Sequence, residues 1–509
     1  MAWKMLHCVH PWIRWRVGPI VREVSIDDAT GAALDSLKDH ARADLAMLGF
    51  PGPEWLIPLD RPDVADAIIV GGGQSGVVIA AALKWDGLRN VRVLDKAPAG
   101  AEGPWLGYAR MEELRTPKTQ AGSEFGVPNL SARRWYETRY GARAWEEIAR
   151  IPRADWKAYL DWYAGALDIS IENEVEAVDV APDGDLIAVT ERRGGRTETR
   201  LARVVVLATG FDGAGEWRAP DFVRSALPPA RYDHSNVVID FSKLRGRRVG
   251  VLGNGASAFD NSIVALKAGA ASADLCFRKA RLPRVNPHRA LEYSGMMTHF
   301  PELSDATRWG ILRHFRTADQ PPPVRSFQTA MGLEGFRLRP ATPWLSVAET
   351  ASGIWVETPD GSLAFDHIIL ATGLQVDLAA RPELKTIAGR VVVWGERFTP
   401  PADEADPRLE ALPYLDAHYG FIPRRAEDAW VSRVFAFNGA SAVSHGPHST
   451  AISGQKYALP RLVRGVSRRL LLQQESGVVD RLKAYVSDDL PVPGDFEERI
   501  IAANRERER

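Results

Sequence analysis

The sequence predicts an α/β fold of two Rossmann-like dinucleotide-binding domains, the second inserted into the first. Three observations predict it. Two glycine-rich turns, Gly71-Gly72-Gly73-Gln74-Ser75-Gly76 and Gly253-Asn254-Gly255-Ala256-Ser257-Ala258, each stand directly behind a short apolar run. An acid, Asp95, closes the next apolar run after the first turn, 19 residues beyond Gly76. Two more apolar runs, Val204 to Leu207 and Ile368 to Leu370, both end in Ala-Thr-Gly. A strand, a tight glycine turn and a helix start form the dinucleotide fingerprint, because free backbone N–H groups there face a pyrophosphate.

In chain order, residues 1–65 form an accessory element. Leu34, Leu37, Ala41, Leu45 and Leu48 fall on one helical face, and Gly49 and Pro51 close it. The expected roles are a cap on the active-site mouth, a dimer contact or plain packing on the main body. Residues 66–215 are expected to form the first part of one nucleotide domain. Gly71 makes its tight turn, Gly73 lets the backbone approach the ligand, and Gly76 packs helix on strand. Gln74 and Ser75 complete the turn, and Asp95 with Lys96 follows at the position where a carboxylate accepts ribose hydroxyls. A Gly- and Pro-rich loop then carries Trp105, Thr116, Lys118 and Thr119 as candidates beside the cofactor. Trp156, Tyr159, Leu160 and Tyr163 repeat at helical spacing and are expected in the core. Alternation from Ile169 to Thr199 predicts a small antiparallel sheet turning at Pro182-Asp183-Gly184.

Residues 216–345 are expected to form the second nucleotide domain, 346–480 the return to the first, and 481–509 a charged tail. The second fingerprint has Ala258 at its third glycine position, a variant that the pattern accommodates. The strand after it, expected at Asp274 to Phe277, ends in Arg278-Lys279 instead of an acid, and cations there match a 2′-phosphate. The first site therefore suits FAD and the second NADPH. Thr209 and the pair Thr372 and Gly373 stand at the two Ala-Thr-Gly ends, read as close passes along the bound cofactor. Phe435 to Gly439 reads as the last strand of the first domain, and Ser449-Thr450 as the start of a helix running to Gln473.

Composition narrows the field. The chain has 45% hydrophobic and 25% charged residues with net charge −1, so no basic surface argues for nucleic acid. No apolar run is long enough for a membrane span, and Lys4, Arg14 and Arg16 interrupt any signal-peptide core, so a cytoplasmic location is expected. Cys8 and Cys276, the two cysteines, make neither a close redox pair nor a metal site. Electrons passed from NADPH to FAD must go to O₂, to an organic acceptor or to a separate carrier protein. The expected partners are a small-molecule substrate and O₂, and a homo-oligomer is possible.

From Asp66 to Gln473 the order of motifs resembles the class B flavoprotein monooxygenases: the flavin-containing, Baeyer–Villiger and N-hydroxylating enzymes. Gly103-Pro104-Trp105 resembles their Gly-Gly-x-Trp turn, Tyr159 to Ala164 their Tyr-Leu-x-x-Tyr-Ala helix, and Ala371 to Asp377 their late Ala-Thr-Gly-x-x-x-Asp. His234-Ser235 stands where the family's linker ends in His-Ser, although Pro228 and Ala230 replace its Phe and Gly. Asn438, His445 and His448 lie in a segment similar to the late His-Gly stretch of the N-hydroxylating enzymes. The resemblance implies oxygen transfer through a C4a-(hydro)peroxyflavin, with N- or S-oxygenation of a small substrate expected first. Baeyer–Villiger oxygenation and a reductase serving a carrier protein are the alternatives. Lys118 and His234 are the catalytic candidates, and Ser235, Asn438 and His445 join the cofactor-binding set.

Overall fold

The computed structural model describes residues 28–120, 122–487 and 489–507. Its first sheet holds β1 (Val64–Val70), β2 (Val91–Leu94), β3 (Glu176–Asp183), β4 (Leu186–Arg193) and β5 (Arg196–Leu207) in the order β2-β1-β5-β4-β3. β1 is parallel to both neighbours, Ile69 pairing with Val93 and with Val206. Its apolar run is buried on both faces, as a central parallel strand requires. β5 has an exposed first half paired antiparallel with β4, and its second half, Ala202 to Leu207, is buried beside β1. The expected hairpin sheet and the expected buried strand are thus one continuous sheet.

β6 (Gly215–Glu216) leads into the second unit and later pairs with β15 (Gln375–Val376). The second sheet has β7 (Tyr232–His234), β8 (Arg248–Leu252), β9 (Ser272–Cys276), β10 (Phe336–Arg339) and β14 (His367–Leu370) in the order β10-β9-β8-β14-β7, all parallel. Beside it lies the antiparallel sheet β11 (Ser346–Thr350), β12 (Gly353–Thr358) and β13 (Gly361–Phe365), with the expected turn at Asp360-Gly361.

Here the expected division of the chain needs correction. β14, with its Ala371-Thr372-Gly373 end, does not return to the first sheet: Leu370 pairs with Leu252 on one side and His234 on the other. The hairpin sheet travels with it, since Val347, Ile354, Val356 and Phe365 share one core with Ile368 and Leu370. Gly250 makes room for that contact, because a Cβ there would come within 2.6 Å of the Phe365 ring. The chain rejoins the first unit later. Leu378, Leu384, Ile387, Val391 and Phe421 pack on the face carrying Ile68 and Val205, and β16 (Val434–Ala436) pairs parallel with β5.

Around these sheets, the helix Asp28–Met47 buries Leu34, Leu37, Ala41 and Leu45 in the core shared with the fingerprint helix Gln74–Trp85. Leu48, expected on the same face, is 55% exposed, because the helix ends one residue earlier. The element is packed on the main body: Trp162 donates to the Leu34 carbonyl and Arg42 to the Gly165 and Ala166 carbonyls. Trp156, Tyr159, Leu160 and Tyr163 are buried on the helix Arg153–Ala166, as their spacing predicts. The last long helix starts at Gln455, not at Ser449, and residues 449–454 form turns. Phe496–Arg507 is an exposed helix. Among the described residues no helix is long and apolar enough to cross a membrane. Cys8 and the tryptophans before Arg22 lie outside the described residues.

Candidate active site and its two dinucleotide turns

The first turn is built by exclusion. Gly71 has φ +107°, and a Cβ on it would meet the Ala208 carbonyl oxygen at 2.5 Å. A Cβ on Gly76 would stand 1.8 Å from the Gly71 carbonyl oxygen, so the helix start can lie on the strand end only with glycine there. Gly73 caps the helix Gln74–Trp85 without a side-chain bond, which leaves the first helical N–H groups to a ligand. The Asp95 carboxylate is buried and accepts the Gly72 N–H at 2.7 Å and the Ala97 N–H at 2.7 Å. It therefore braces the turn while keeping lone pairs for ribose hydroxyls. Burial pushes its pKa up.

The side chains of Gln74 and Ser75 are engaged by residues far along the chain. Gln74 accepts from Trp156 Nε1 at 3.1 Å and donates to Gln455 Oε1 at 2.9 Å, and Gln455 donates to Ser75 Oγ at 2.9 Å. With both side chains so engaged, the backbone N–H groups of the turn are what is left for a ligand. Gln455, at the start of a helix 380 residues later, is the residue that sequence reasoning missed. Trp105 crosses Trp156 edge-to-face at 6.3 Å, and its buried Nε1 has no partner. An orphaned donor beside an uncapped helix start fits a bound flavin nucleotide. On the other side, Asn438 Nδ2 donates to Thr209 Oγ1 at 3.0 Å, joining the ends of β5 and β16.

Lys118 is placed differently from expectation. Its ammonium donates to the Trp145 carbonyl and lies 5.1 Å from the centre of the Trp145 ring. That partnership makes it a fastener of the loop. Thr116 is half-buried and Thr119 exposed, without a bond to the turn. The same loop straps the two units together: Arg115 pairs with Asp260 at 3.0 Å, and Glu113 with Arg325 at 2.6 Å.

The second turn repeats the first in a more open form. Gly253 has φ +145°, and its Cβ would meet the Ala371 carbonyl oxygen at 2.5 Å. Thr372 and Gly373 therefore border this turn and not the first. A Cβ on Gly255 would touch nothing, and the helix Ala256–Lys267 behind it has no side-chain cap. Ala256 and Ser257 open that helix half-buried, and Ala258 is fully buried in the tight place. Lys279 is engaged with Asp319 at 3.4 Å, and Asn254 donates to the same carboxylate at 2.8 Å. Arg278 is exposed and has no ion-pair partner among the described residues. Lys96, beyond the first turn, is exposed too.

His234 ends β7 beside β14 and is buried, and its pKa is lowered to about 4 by that burial. Its Nδ1 accepts the Asn236 N–H at 3.2 Å, so Nε2 carries the proton, directed toward the Gly373 backbone. Ser235 is buried next to it, and its N–H donates to the Leu370 carbonyl. His445 is stacked on Tyr419 at 3.7 Å, and His448 meets His288 at 3.1 Å. Burial lowers their pKa values to about 3 for His445 and about 4 for His448. Both line a narrow cavity with Leu291, Met296, Met297 and Phe300.

Comparison with known proteins bears on this geometry. Residues 68–291 match the family described as pyridine nucleotide-disulphide oxidoreductase. The FAD-dependent urate hydroxylase of Xanthomonas campestris pv. campestris is 40% identical over 456 residues, covering 89% of this chain and 96% of that protein. The chain belongs to the same family as this FAD-dependent hydroxylase. In fold, this monooxygenase is similar to the ornithine hydroxylase of Pseudomonas aeruginosa, with TM-score 0.63, 18% identity, and 80% of this chain and 100% of that one covered. The L-lysine 6-monooxygenase of Pseudomonas syringae gives 0.61, 18%, 80% and 99%. The expectation of an FAD-dependent oxidoreductase of monooxygenase type stands. Among the described residues no cluster of three or more His, Cys, Asp or Glu could hold a metal ion.

Proposed function

We propose that this monooxygenase uses NADPH and O₂ to hydroxylate a carbon atom of a small N–H-bearing heterocycle of the urate class. The observation that carries the reading is the 40% identical urate hydroxylase, matched over 96% of its length. The name of that relative favours carbon hydroxylation over the N- or S-oxygenation that the sequence alone favours.

In balance, the substrate, O₂, NADPH and a proton yield the hydroxylated product, NADP⁺ and water. FAD reduced by NADPH supplies the activation of O₂, and the chain supplies everything around it. Gly71, Gly73 and Gly76 bring the helix Gln74–Trp85 onto the FAD pyrophosphate, and Asp95 takes a ribose hydroxyl. Gly253, Gly255, Ala256 and Ser257 hold NADPH, with Thr372 and Gly373 alongside and Arg278 on the 2′-phosphate. His234 stands at the end of β7 beside Thr372 and Gly373, on the NADPH side. Asn438 ties the floor of the first site to Thr209.

The test is a panel of urate, amines, sulfides and ketones, scored for substrate-stimulated NADPH oxidation and product mass. Stimulation by urate with a product one oxygen heavier is expected. Stimulation by amines or sulfides alone overturns the substrate assignment. Reduction of an added carrier protein with no oxygenated product overturns the monooxygenase reaction proposed here.

A further inference from the structure

The seam between the two units holds a pair of arginines that neither dinucleotide turn uses. Arg110 and Arg153 both fasten the loop turn at residues 104–110. Arg153 Nη1 donates to the Trp105 carbonyl and, at 2.7 Å, to the Ala109 carbonyl. Arg110 Nη1 donates to the Gly107 carbonyl at a long 3.5 Å, and its Nη2 crosses to the second unit, to the Val237 carbonyl at 2.5 Å. All four acceptors are neutral, and among the described residues neither guanidinium has a carboxylate partner. Asp233, the acid whose charge reaches Arg110, is bonded to His367 at 2.8 Å. Burial and the charge of Arg153 lower the Arg110 pKa to about 10, and burial lowers that of Arg153. Two partly buried like charges without a counter-ion carry a cost that a bound anion would remove.

The place suits a flat ring. Gly103, just before Trp105, packs on Gly73 of the first turn, and Val237 follows the carboxyl end of β7 in the second sheet. The pair therefore lies between the carboxyl ends of two parallel sheets, the side on which such sheets bind ligands. Leu106 in the turn, and Val237 and Val238 at the carbonyl that Arg110 reaches, are 54%, 40% and 78% exposed, so apolar surface stands uncovered beside the cations. A Cβ on Gly107 would meet nothing nearer than the Pro104 carbonyl oxygen at 4.0 Å, which leaves the turn open there. Arg110 is held 5.4 Å from the centre of the Phe241 ring. Both arginines are half-buried, and Arg110 Nε, Arg153 Nε and Arg153 Nη2 have no partner among the described residues, so N–H edges remain for an acceptor. The two pyrophosphates have the two uncapped helix starts, and the 2′-phosphate has Arg278. What is left for the pair is the substrate. An N–H flanked by carbonyls, as in a urate-class ring, is acidic enough to leave that ring an anion near neutral pH.

We propose that Arg110 and Arg153 form the anion-binding part of the substrate site and take the urate-class ring as its monoanion, with Leu106 and Val237 as its apolar border. The proposal rests on the urate-class reading above and goes further, naming the ionisation state that is bound and the residues that select it. Both arginines act as binding residues here, with no proton transfer assigned to them.

The experiment uses the purified holoenzyme, with urate and its tetramethyl derivative, which has no N–H to lose and stays neutral. Binding is followed by the perturbation of the flavin absorbance, and the KM for NADPH by its oxidation. Arg110→Met keeps a long side chain against Phe241 and removes the charge, and Arg153→Met does the same from the first unit. Each is expected to weaken urate binding at least about tenfold, the loss of a charge-assisted contact. Arg110→Lys restores the charge without the planar fork and should bind urate within about fivefold of the wild type. Tetramethylurate, the weaker ligand from the outset, should be unaffected by all three changes, as should the flavin content and the KM for NADPH. Equal weakening of both probes marks a packing role and overturns the proposal. Loss of flavin or a raised KM for NADPH, with urate binding intact, assigns the arginines to a cofactor and overturns it too. Undiminished urate binding in both methionine variants overturns the proposal while leaving urate as substrate. Failure of the wild type to bind or oxidise urate overturns the substrate reading, and this proposal with it.

Discussion

The two glycine turns share a design and differ in how much of their chemistry is already spoken for. At the first, the acid is buried and bonded to the turn, both side chains in the turn are bonded to Gln455, and a Cβ on Gly76 would strike backbone at 1.8 Å. At the second, a Cβ on Gly255 meets nothing and Arg278 stands exposed. A turn braced by the fold suits a cofactor that stays, and an open turn with a free cation suits one that comes and goes each cycle. The difference teaches that matching motifs need not mean matching rigidity.

Breaking the braced turn should have the largest effect. Gly76→Ala forces the helix off the strand end, and the protein should lose nearly all its bound flavin. Gly255→Ala should retain flavin at the wild-type ratio and show a raised KM for NADPH. The flavin-to-protein absorbance ratio of the two purified variants decides it, and equal ratios would erase the distinction.

Acid should come next. His445 and His448 beside the first unit and His234 in the second are buried with pKa values of about 3, 4 and 4. Each folded value lies below the unfolded one near 6.5, so the unfolded chain binds more protons as the pH falls. Stability should therefore be constant above about pH 6.5 and decline on going down to about pH 4, by several kcal/mol in all. Denaturant titrations across that range measure it.

A smaller effect sharpens the open turn. Arg278→Ala should raise the KM for NADPH by an amount equivalent to about 1.5–3 kcal/mol, the worth of a charge-assisted phosphate contact, and leave the KM for NADH unchanged. Equal changes would remove Arg278 from the 2′-phosphate. The smallest effect belongs to Lys118. Its ammonium is taken by Trp145, so Lys118→Ala should change kcat less than about threefold while costing about 1 kcal/mol of stability. A fall in kcat of about a hundredfold would restore it to catalysis.

Much of the fold was legible because the parallel strands are short apolar runs with glycine punctuation, and local signals suffice for these. β8 runs over the expected Arg248 to Leu252, and the helix at Trp156 buries the predicted stripe. The Ala-Thr-Gly end at Gly373 was misassigned for a physical reason: the tripeptide signals a close pass beside a glycine turn but not which turn, and strand pairing decides that over more than a hundred residues. The contact that Lys118 makes was out of reach because the group that holds its ammonium, the Trp145 carbonyl, is invisible in side-chain identity. Gln455 and the His288–His448 pair were beyond reach in the same way, since each contact joins segments more than 150 residues apart. Residue types near a motif report chemistry; only the fold reports partners.

Turnover of urate with NADPH under heavy-oxygen O₂, read by product mass, asks whether O₂ supplies one oxygen atom to a urate-class heterocycle. One labelled oxygen is expected in the product for each NADPH consumed. Unlabelled product, or NADPH consumption matched by hydrogen peroxide with urate recovered unchanged, would contradict it.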